Sequence, residues 1–251
     1  MSGDAVRINK FLSEAGACSR READRLLLEG RVRVEEKVAQ LGDKVLPGQR
    51  VFLDGKEVGG KAAPVLLLFY KPAGYVCSTK RQGDAPTVMD LLSYPTRVFP
   101  VGRLDKDSEG LLLFTNEGEL SDALLRAANY HEKEYLVTVD RPFGEEFLRE
   151  MGKGVPILDT VTRPCKVFRT GKDSFRIILT QGLNRQIRRM CEALGFKVKS
   201  LRRIRICSLY LKGLAPGAYR PATKEERESL WKELRNGAKK GENRGAGRSA
   251  K

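Results

Sequence analysis

The run Gly59-Gly60-Lys61-Ala62-Ala63-Pro64 constrains this chain more than any other feature, because small and flexible residues without apolar periodicity separate two segments of different character. A length of 251 residues is enough for two cores. The organisation expected is a compact unit over residues 1–60, a linker over 61–64, a larger unit over 65–235 and a tail over 236–251. No stretch of about 18 uncharged apolar residues is present, which excludes a membrane-spanning helix. Arg7 and Lys10 interrupt any apolar core near the N-terminus, so the reading is a cytoplasmic protein with no membrane partner.

In the first segment Ile8, Phe11, Leu12 and Ala15 fall at helical spacing. Ser19-Arg20-Arg21-Glu22 is a capping box that opens a second helix through Ala23, Leu26 and Leu27 to Gly30. Val32 and Val34 then alternate with charged residues, and Val51-Phe52-Leu53-Asp54-Gly55-Lys56 reads as a strand entering a turn. In the second segment strands are expected at 65–71, 111–115, 134–139, 163–169 and 174–180. Helices are expected from Glu117 to Ala128 with Asn116 as N-cap, over 144–151, and over 185–194 with Ile187, Met190, Cys191 and Leu194 on one face. Thr223-Lys224-Glu225-Glu226 is a second capping box, opening a helix that contains Leu230 and Leu234. Helices of unequal length and direct strand-to-strand turns favour an α+β class with a mixed, largely antiparallel sheet over a regular βαβ series. From Arg235 to Lys251 six basic residues face one acid with no apolar periodicity, which predicts a disordered basic tail.

His131 is the sole histidine, and the five cysteines (Cys18, Cys77, Cys165, Cys191, Cys207) are never closer than sixteen positions. Metal-finger and dithiol chemistry lose their spacing, and scattered thiols fit structural roles in a reducing compartment. Forty-seven basic against 32 acidic residues give a net charge of +15, which calls for a polyanionic partner. The excess is concentrated. Residues 1–62 carry twelve Lys/Arg against ten Asp/Glu, whereas 181–205 carry eight basic residues against Glu192 alone.

Within that basic region the helix at 185–194 puts Arg185, Arg188 and Arg189 in its first turns, where the helix dipole favours acidic groups. Gly182-Leu183-Asn184 leading into it could hold phosphates or a carboxylate, and Lys197 to Arg205 extends the positive run. Asp105 lies in a loop, Val98 to Gly110, that mixes basic and acidic residues between two apolar strands. Composition alone would make that loop an ordinary polar turn. By the same standard Tyr135 is a core strand tyrosine and His131 a satisfied surface residue.

The strings GRLDKDSEGLLLFTNEGEL, HEKEYLVTV and GLNRQIRRMCEALG, in this order and separation, resemble the signature segments of the bacterial ribosomal RNA pseudouridine synthases of the RsuA class. RINKFLSEAGACSRREADRLLLEGRVRV resembles an S4 RNA-binding domain, which that class carries at its N-terminus. The form of the third string is most similar to the large-subunit RluF type, and the likeness spans roughly residues 5–235. One departure is Glu35-Glu36, where S4 domains commonly have Asn-Gly, and it bears on the tightness of a hairpin turn.

The resemblance implies an α+β architecture of a small S4-like unit followed by a synthase domain. It implies Asp105 as the catalytic aspartate, Tyr135 as the tyrosine stacking on the target base, and Arg188 as the basic residue paired with the aspartate. Arg103 would help replace the flipped uridine. Arg185, Arg189, Lys199 and Arg202 would contact phosphates, and Arg7, Lys10, Arg20, Arg21 and Arg25 of the S4-like unit would hold a flanking stem. The implied activity is isomerisation of uridine in structured RNA, most of all a 23S rRNA stem-loop and secondarily a tRNA, by a monomer without cofactor or metal. The rival is a non-catalytic RNA-binding or ribosome-assembly factor on the same fold.

Overall fold

The computed structural model describes residues 5–79, 83–126 and 130–246. The chain divides into two compact units, one holding the residues up to Val65 with 94–99 and 115–118, the other holding the remainder. Two short segments from beyond the Gly-Gly linker thus belong with the N-terminal unit.

In the first unit α1 (Ile8–Glu14) and α2 (Arg20–Leu28) pack beside short strands β1 (Val6–Arg7), β2 (Val32–Val34), β3 (Lys37–Val38), β4 (Lys44–Val45), β5 (Val51–Leu53) and β6 (Lys56–Val58). The Ser19 hydroxyl accepts the Glu22 amide at 3.1 Å, so the cap expected for α2 forms. Ile8, Leu12, Ala23, Leu26, Leu27, Val32 and Val51 make the core, the residues at helical and alternating spacing. The β2–β3 hairpin keeps a two-residue connection despite Glu35-Glu36: Glu35 adopts φ +50°, and its carboxylate accepts the Arg50 amide at 2.7 Å. That hydrogen bond offsets a left-handed backbone that Asn or Gly would adopt more readily. Asn116 does not act as an N-cap. Its amide group bridges Ala63 and Val65 instead, accepting from the Val65 N–H and donating to the Ala63 carbonyl, both at 2.8 Å.

The second unit comprises β7 (Leu66–Lys71), β8 (Phe99–Val101), β9 (Glu109–Thr115), α3 (Gly118–Leu125), β10 (Lys133–Val139), α4 (Glu145–Lys153), β11 (Pro156–Ile157), β12 (Thr160–Val161), β13 (Lys166–Arg169), β14 (Ser174–Leu179), α5 (Gln186–Ala193), β15 (Val198–Ile206), β16 (Leu209–Tyr210), β17 (Tyr219–Pro221) and α6 (Lys224–Ala246). Its main sheet runs β13-β14-β10-β15-β9-β7-β17, with β16 beside β15 and β8 beside β9. β9 and β15 are parallel, whereas β10 is antiparallel to both β14 and β15, so the sheet is mixed and mostly antiparallel. One core packs Leu111 and Leu113 of β9 against Leu120 and Leu124 of α3 and Leu230 and Leu234 of α6. A second gathers Phe143, Phe147, Phe175, Ile187 and Met190.

Short strands β8, β11, β12, β16 and β17 are additions to the expected set, the helix end expected at Ala128 lies outside the described residues, and β15 and α6 depart most from the sequence reading. β15, the central strand between β10 and β9, occupies the basic run from which no strand was expected, because register shifts against β10 break its two-residue alternation. Arg205 is tolerated inside because it meets Glu134 at 2.6 Å and Glu132 at 2.9 Å. α6 extends to Ala246, so the backbone is helical well into the segment expected to be disordered. Once the Thr223 capping box starts the helix and Leu230 and Leu234 anchor it, each added residue costs little.

Candidate active site

A cavity of about 500 Å³ opens in the second unit between the loop after β8, strands β10 and β15, and the N-terminus of α5. Asp105, Arg103, Tyr135, Arg185, Lys133 and Arg203 all line it, with Leu179, Leu201 and Ile206 as apolar wall. Arg188, Arg189, Lys199 and Arg202 do not.

The loop carrying Asp105 is clamped from the segment that follows β7. Lys71 is fully buried, and its ammonium donates to the carbonyls of Ser108 at 2.6 Å, Pro72 at 3.0 Å and Lys106 at 3.3 Å. Burial lowers its pKa, partly countered by the Cys77 thiol and the charges of Asp107 and Asp105. The Gly74 amide donates to the Lys106 carbonyl at 2.7 Å, and the Leu104 amide donates to Cys77 Sγ at 3.3 Å. Leu104 is buried beneath, which leaves Asp105 half-buried with its side chain 33% exposed at the cavity. Lys71 and Cys77 escaped the sequence reading. The available signal was a lysine ending an apolar strand directly before a proline.

Gly110 fixes where β9 meets β15. Its φ is +111°, and a Cβ there would lie 2.2 Å from the Arg203 carbonyl oxygen. Only glycine permits this approach.

The arginines of α5 are arranged differently from the resemblance. Arg185 sits at the N-cap with φ +49°, a left-handed conformation that swings its side chain toward the loop. It grips Asp107 with two hydrogen bonds of 3.2 and 3.1 Å and reaches Asp105 Oδ2 at 3.8 Å. Arg188, 13% exposed, lies one turn farther along and turns to Asp107, with Nε 3.3 Å from Oδ2 and Nη2 3.0 Å from the Asp107 carbonyl. The partner of Asp105 is therefore Arg185, and Arg188 supports the loop through Asp107. Burial pushes the Asp107 carboxyl up, but the Arg185 hydrogen bonds and the Arg188 charge outweigh it and hold it below its usual range. Arg189 folds back on Asn184.

Tyr135 and Lys133, two apart on β10, both reach the cavity, and Arg203 is the cross-strand partner of Tyr135. His131 is buried rather than on the surface. Its Nε2 lies 3.0 Å from the Ala123 carbonyl, tying the start of β10 to α3, and burial lowers its pKa. The run Lys197 to Arg205 is not one solvent-facing stripe: Lys199 is exposed, Arg202 pairs with Glu109 at 2.6 Å, and Arg203 and Arg205 are buried. In the first unit Arg7, Arg20 and Arg21 are exposed, Lys10 is 3.6 Å from Glu14, and Arg25 is ion-paired with Glu22 and Glu29.

Residues 65–193 match the RNA pseudouridylate synthase family, and residues 6–51 match the S4 domain. The chain is 50% identical over 234 residues to the dual-specificity RNA pseudouridine synthase RluF of Escherichia coli (strain K12), covering 92% of this chain and 80% of that protein. It is 35% identical over 232 residues to the ribosomal large subunit pseudouridine synthase B of Bacillus subtilis (strain 168), covering 89% and 95%. A solved structure described as a pseudouridylate synthase superimposes with a TM-score of 0.66 at 28% identity, covering 90% of this chain and 99% of that one. A cavity built on the three ordered motifs and a match that spans both units lead to one assignment: the chain belongs to the RNA pseudouridine synthases, in the RsuA-type branch that carries an N-terminal S4 domain.

Proposed function

We propose that Asp105 is the carboxylate that starts uridine isomerisation and that the principal substrate is large-subunit ribosomal RNA, modified in the cytoplasm by a monomer. The observation that carries this reading is one half-buried carboxylate in a largely cationic cavity, 3.8 Å from Arg185, with Tyr135 among the residues that line the same space. Isomerisation breaks the N1–C1′ bond, turns the uracil and joins C5 to C1′ without change of composition or oxidation state. It needs an ionised carboxylate to attack C1′ or C6, or to remove the C2′ proton. Arg185 places a cation 3.8 Å from Asp105 Oδ2.

The target base must leave its stack, at a cost of a few kcal/mol, and stacking on Tyr135 returns about 1–3 kcal/mol. Arg103, exposed and lining the same cavity, would fill the vacated position in the RNA. Residues 1–60 would act as the RNA-holding module and 65–235 as the catalytic domain, with Arg7, Arg20, Arg21, Lys199, Arg202 and Arg189 as candidate phosphate contacts. A relative named for the large ribosomal subunit supports the rRNA assignment, and relatives named dual-specificity support a second RNA, for which tRNA is the candidate.

The test is to map pseudouridines across rRNA and tRNA in a deletion strain, and in the same strain complemented with wild type or Asp105→Asn. A 23S rRNA position lost on deletion and restored by wild type alone is the expected result. Unchanged maps on deletion would favour the rival reading, an RNA-binding or assembly factor.

A further inference from the structure

Two cations that line the cavity, at what we call its floor, have no carboxylate paired with them among the described residues. Arg203 is 4% exposed; its Nε donates to the Leu111 carbonyl at 2.7 Å and its Nη1 to the Arg103 carbonyl at 3.5 Å. Its Nη2 is buried without a hydrogen-bond partner. Lys133, half-buried on the adjacent strand, has no hydrogen bond or ion pair from its ammonium among the described residues. Burial, and after it the Arg203 charge, lowers its pKa, against an opposing contribution from Cys207. Glu134, between Lys133 and Tyr135 in sequence, is taken up by Arg205 and Arg176. Two adjacent cations in a partly apolar enclosure are costly, because like charges repel strongly where the dielectric is low. Such an arrangement is retained where a ligand supplies the missing negative charge.

We infer that Lys133 and Arg203 form a cationic seat that stabilises the uracil as it leaves C1′ with the bonding electrons. This rests on the reading of Asp105 given above. Where Asp105 attacks C1′ or removes the C2′ proton, the N1–C1′ bond breaks with its electron pair on N1, delocalised to O2 and O4. C1′ is meanwhile held as an ester of the aspartate or as a glycal. After the base turns, C5 bonds to C1′ as the ester's C1′–O bond breaks and releases the Asp105 carboxylate, or as C2′ of the glycal takes back the proton that Asp105 removed; the C5 proton is then lost to solvent and N1 takes up a proton. A cation contacting O2 or O4 acts most strongly on the charged base, so it lowers the barrier rather than merely tightening binding. Tyr135 on the same face of β10 would hold the ring against this seat. A phosphate is the less suitable occupant, since Leu179, Leu201 and Ile206 line the same space.

The experiment uses the full-length protein and an in vitro 23S rRNA transcript made once with uridine and once with 5-fluorouridine, whose base is the better leaving group. Loss of the N1–C1′ bond is followed in single turnover at saturating enzyme for wild type, Lys133→Met, Lys133→Arg and Lys133→Gln. The inference expects Lys133→Met to be slowed at least 100-fold on uridine but less than tenfold on 5-fluorouridine, with the RNA Kd within threefold. Lys133→Gln should follow Lys133→Met, and Lys133→Arg should recover most of the rate. Removing an unanswered charge should leave the melting temperature equal or higher, which separates this effect from misfolding. Equal slowing on both transcripts, or a weakened Kd and flatter salt dependence with the rate intact, would overturn it. Wild-type turnover that survives in Asp105→Asn would instead refute the reading of Asp105, so the two failures are distinguishable.

Discussion

The rim and the floor of the cavity are both cationic, yet their charge is compensated in opposite ways. At the rim Arg185 and Arg188 share the carboxylate of Asp107, and the loop is thereby locked to the start of α5. On the floor Lys133 and Arg203 have no carboxylate paired with them among the described residues. The compensated pair fastens the loop, and the uncompensated one is the seat inferred above for the uracil; Asp105 lies between, 3.8 Å from Arg185. Aspartates two positions apart are therefore held differently: Asp107 is tied to two arginines, whereas Asp105, the carboxylate proposed above for the chemistry, meets Arg185 only at 3.8 Å.

The largest effect expected is at the junction of rim and floor. Gly110→Ala places a methyl 2.2 Å from the Arg203 carbonyl oxygen, a backbone atom that cannot yield without parting β9 from β15. A loss of about 3–5 kcal/mol in urea unfolding is expected, and a loss under about 1 kcal/mol would mean that the strands do not approach so closely.

Next comes the rim. Arg185→Ala should lower the saturated rate on the order of 10- to 100-fold by removing the cation nearest Asp105, with Arg185→Lys recovering part of it. Arg188→Ala should instead lower the unfolding midpoint along with the rate, since its contacts are to the loop. If Arg188→Ala alone lost the rate with no change in stability, the pairing implied by resemblance would be right and the two arginines would exchange roles.

Smaller is the contribution of His131, whose folded pKa is depressed by burial. The unfolded chain takes up the proton first, so this stability is present above about pH 6.5 and is lost as pH falls through the folded value, with a slope of at most about 1.4 kcal/mol per pH unit. His131→Gln, which keeps a donor for the Ala123 carbonyl, should flatten that acid limb. An unchanged limb would place the titration elsewhere.

The smallest effect concerns exposed charge. Lys199→Ala should flatten the salt dependence of RNA binding by about 0.7 if it meets one phosphate, whereas Arg202→Ala should do less because Glu109 already holds it at 2.6 Å. Equal slopes would show that the ion pair opens on binding.

The helices with caps at Ser19 and Thr223, the apolar strand at 66–71 and the core spacing of Ile8, Leu12, Leu26 and Leu27 were legible in the sequence because local rules specify them. β15 was not, since its pattern is broken by register shifts and the carboxylates that receive its buried Arg205 lie about seventy residues away. The motifs brought Asp105, Tyr135 and Arg185 to one cavity, but only three-dimensional placement separates Arg185 from Arg188. Lys71 was hidden for the same reason: its three carbonyl partners include two about 35 residues distant.

The comparison of Asp105→Asn with Asp107→Asn in single-turnover pseudouridine formation tests the division between chemical and structural carboxylates most directly. Asp105→Asn should make no product while keeping RNA affinity and melting temperature. Asp107→Asn should retain measurable turnover with a lowered melting temperature. Turnover within tenfold of wild type in Asp105→Asn, with Asp107→Asn inactive at full stability, would contradict the account.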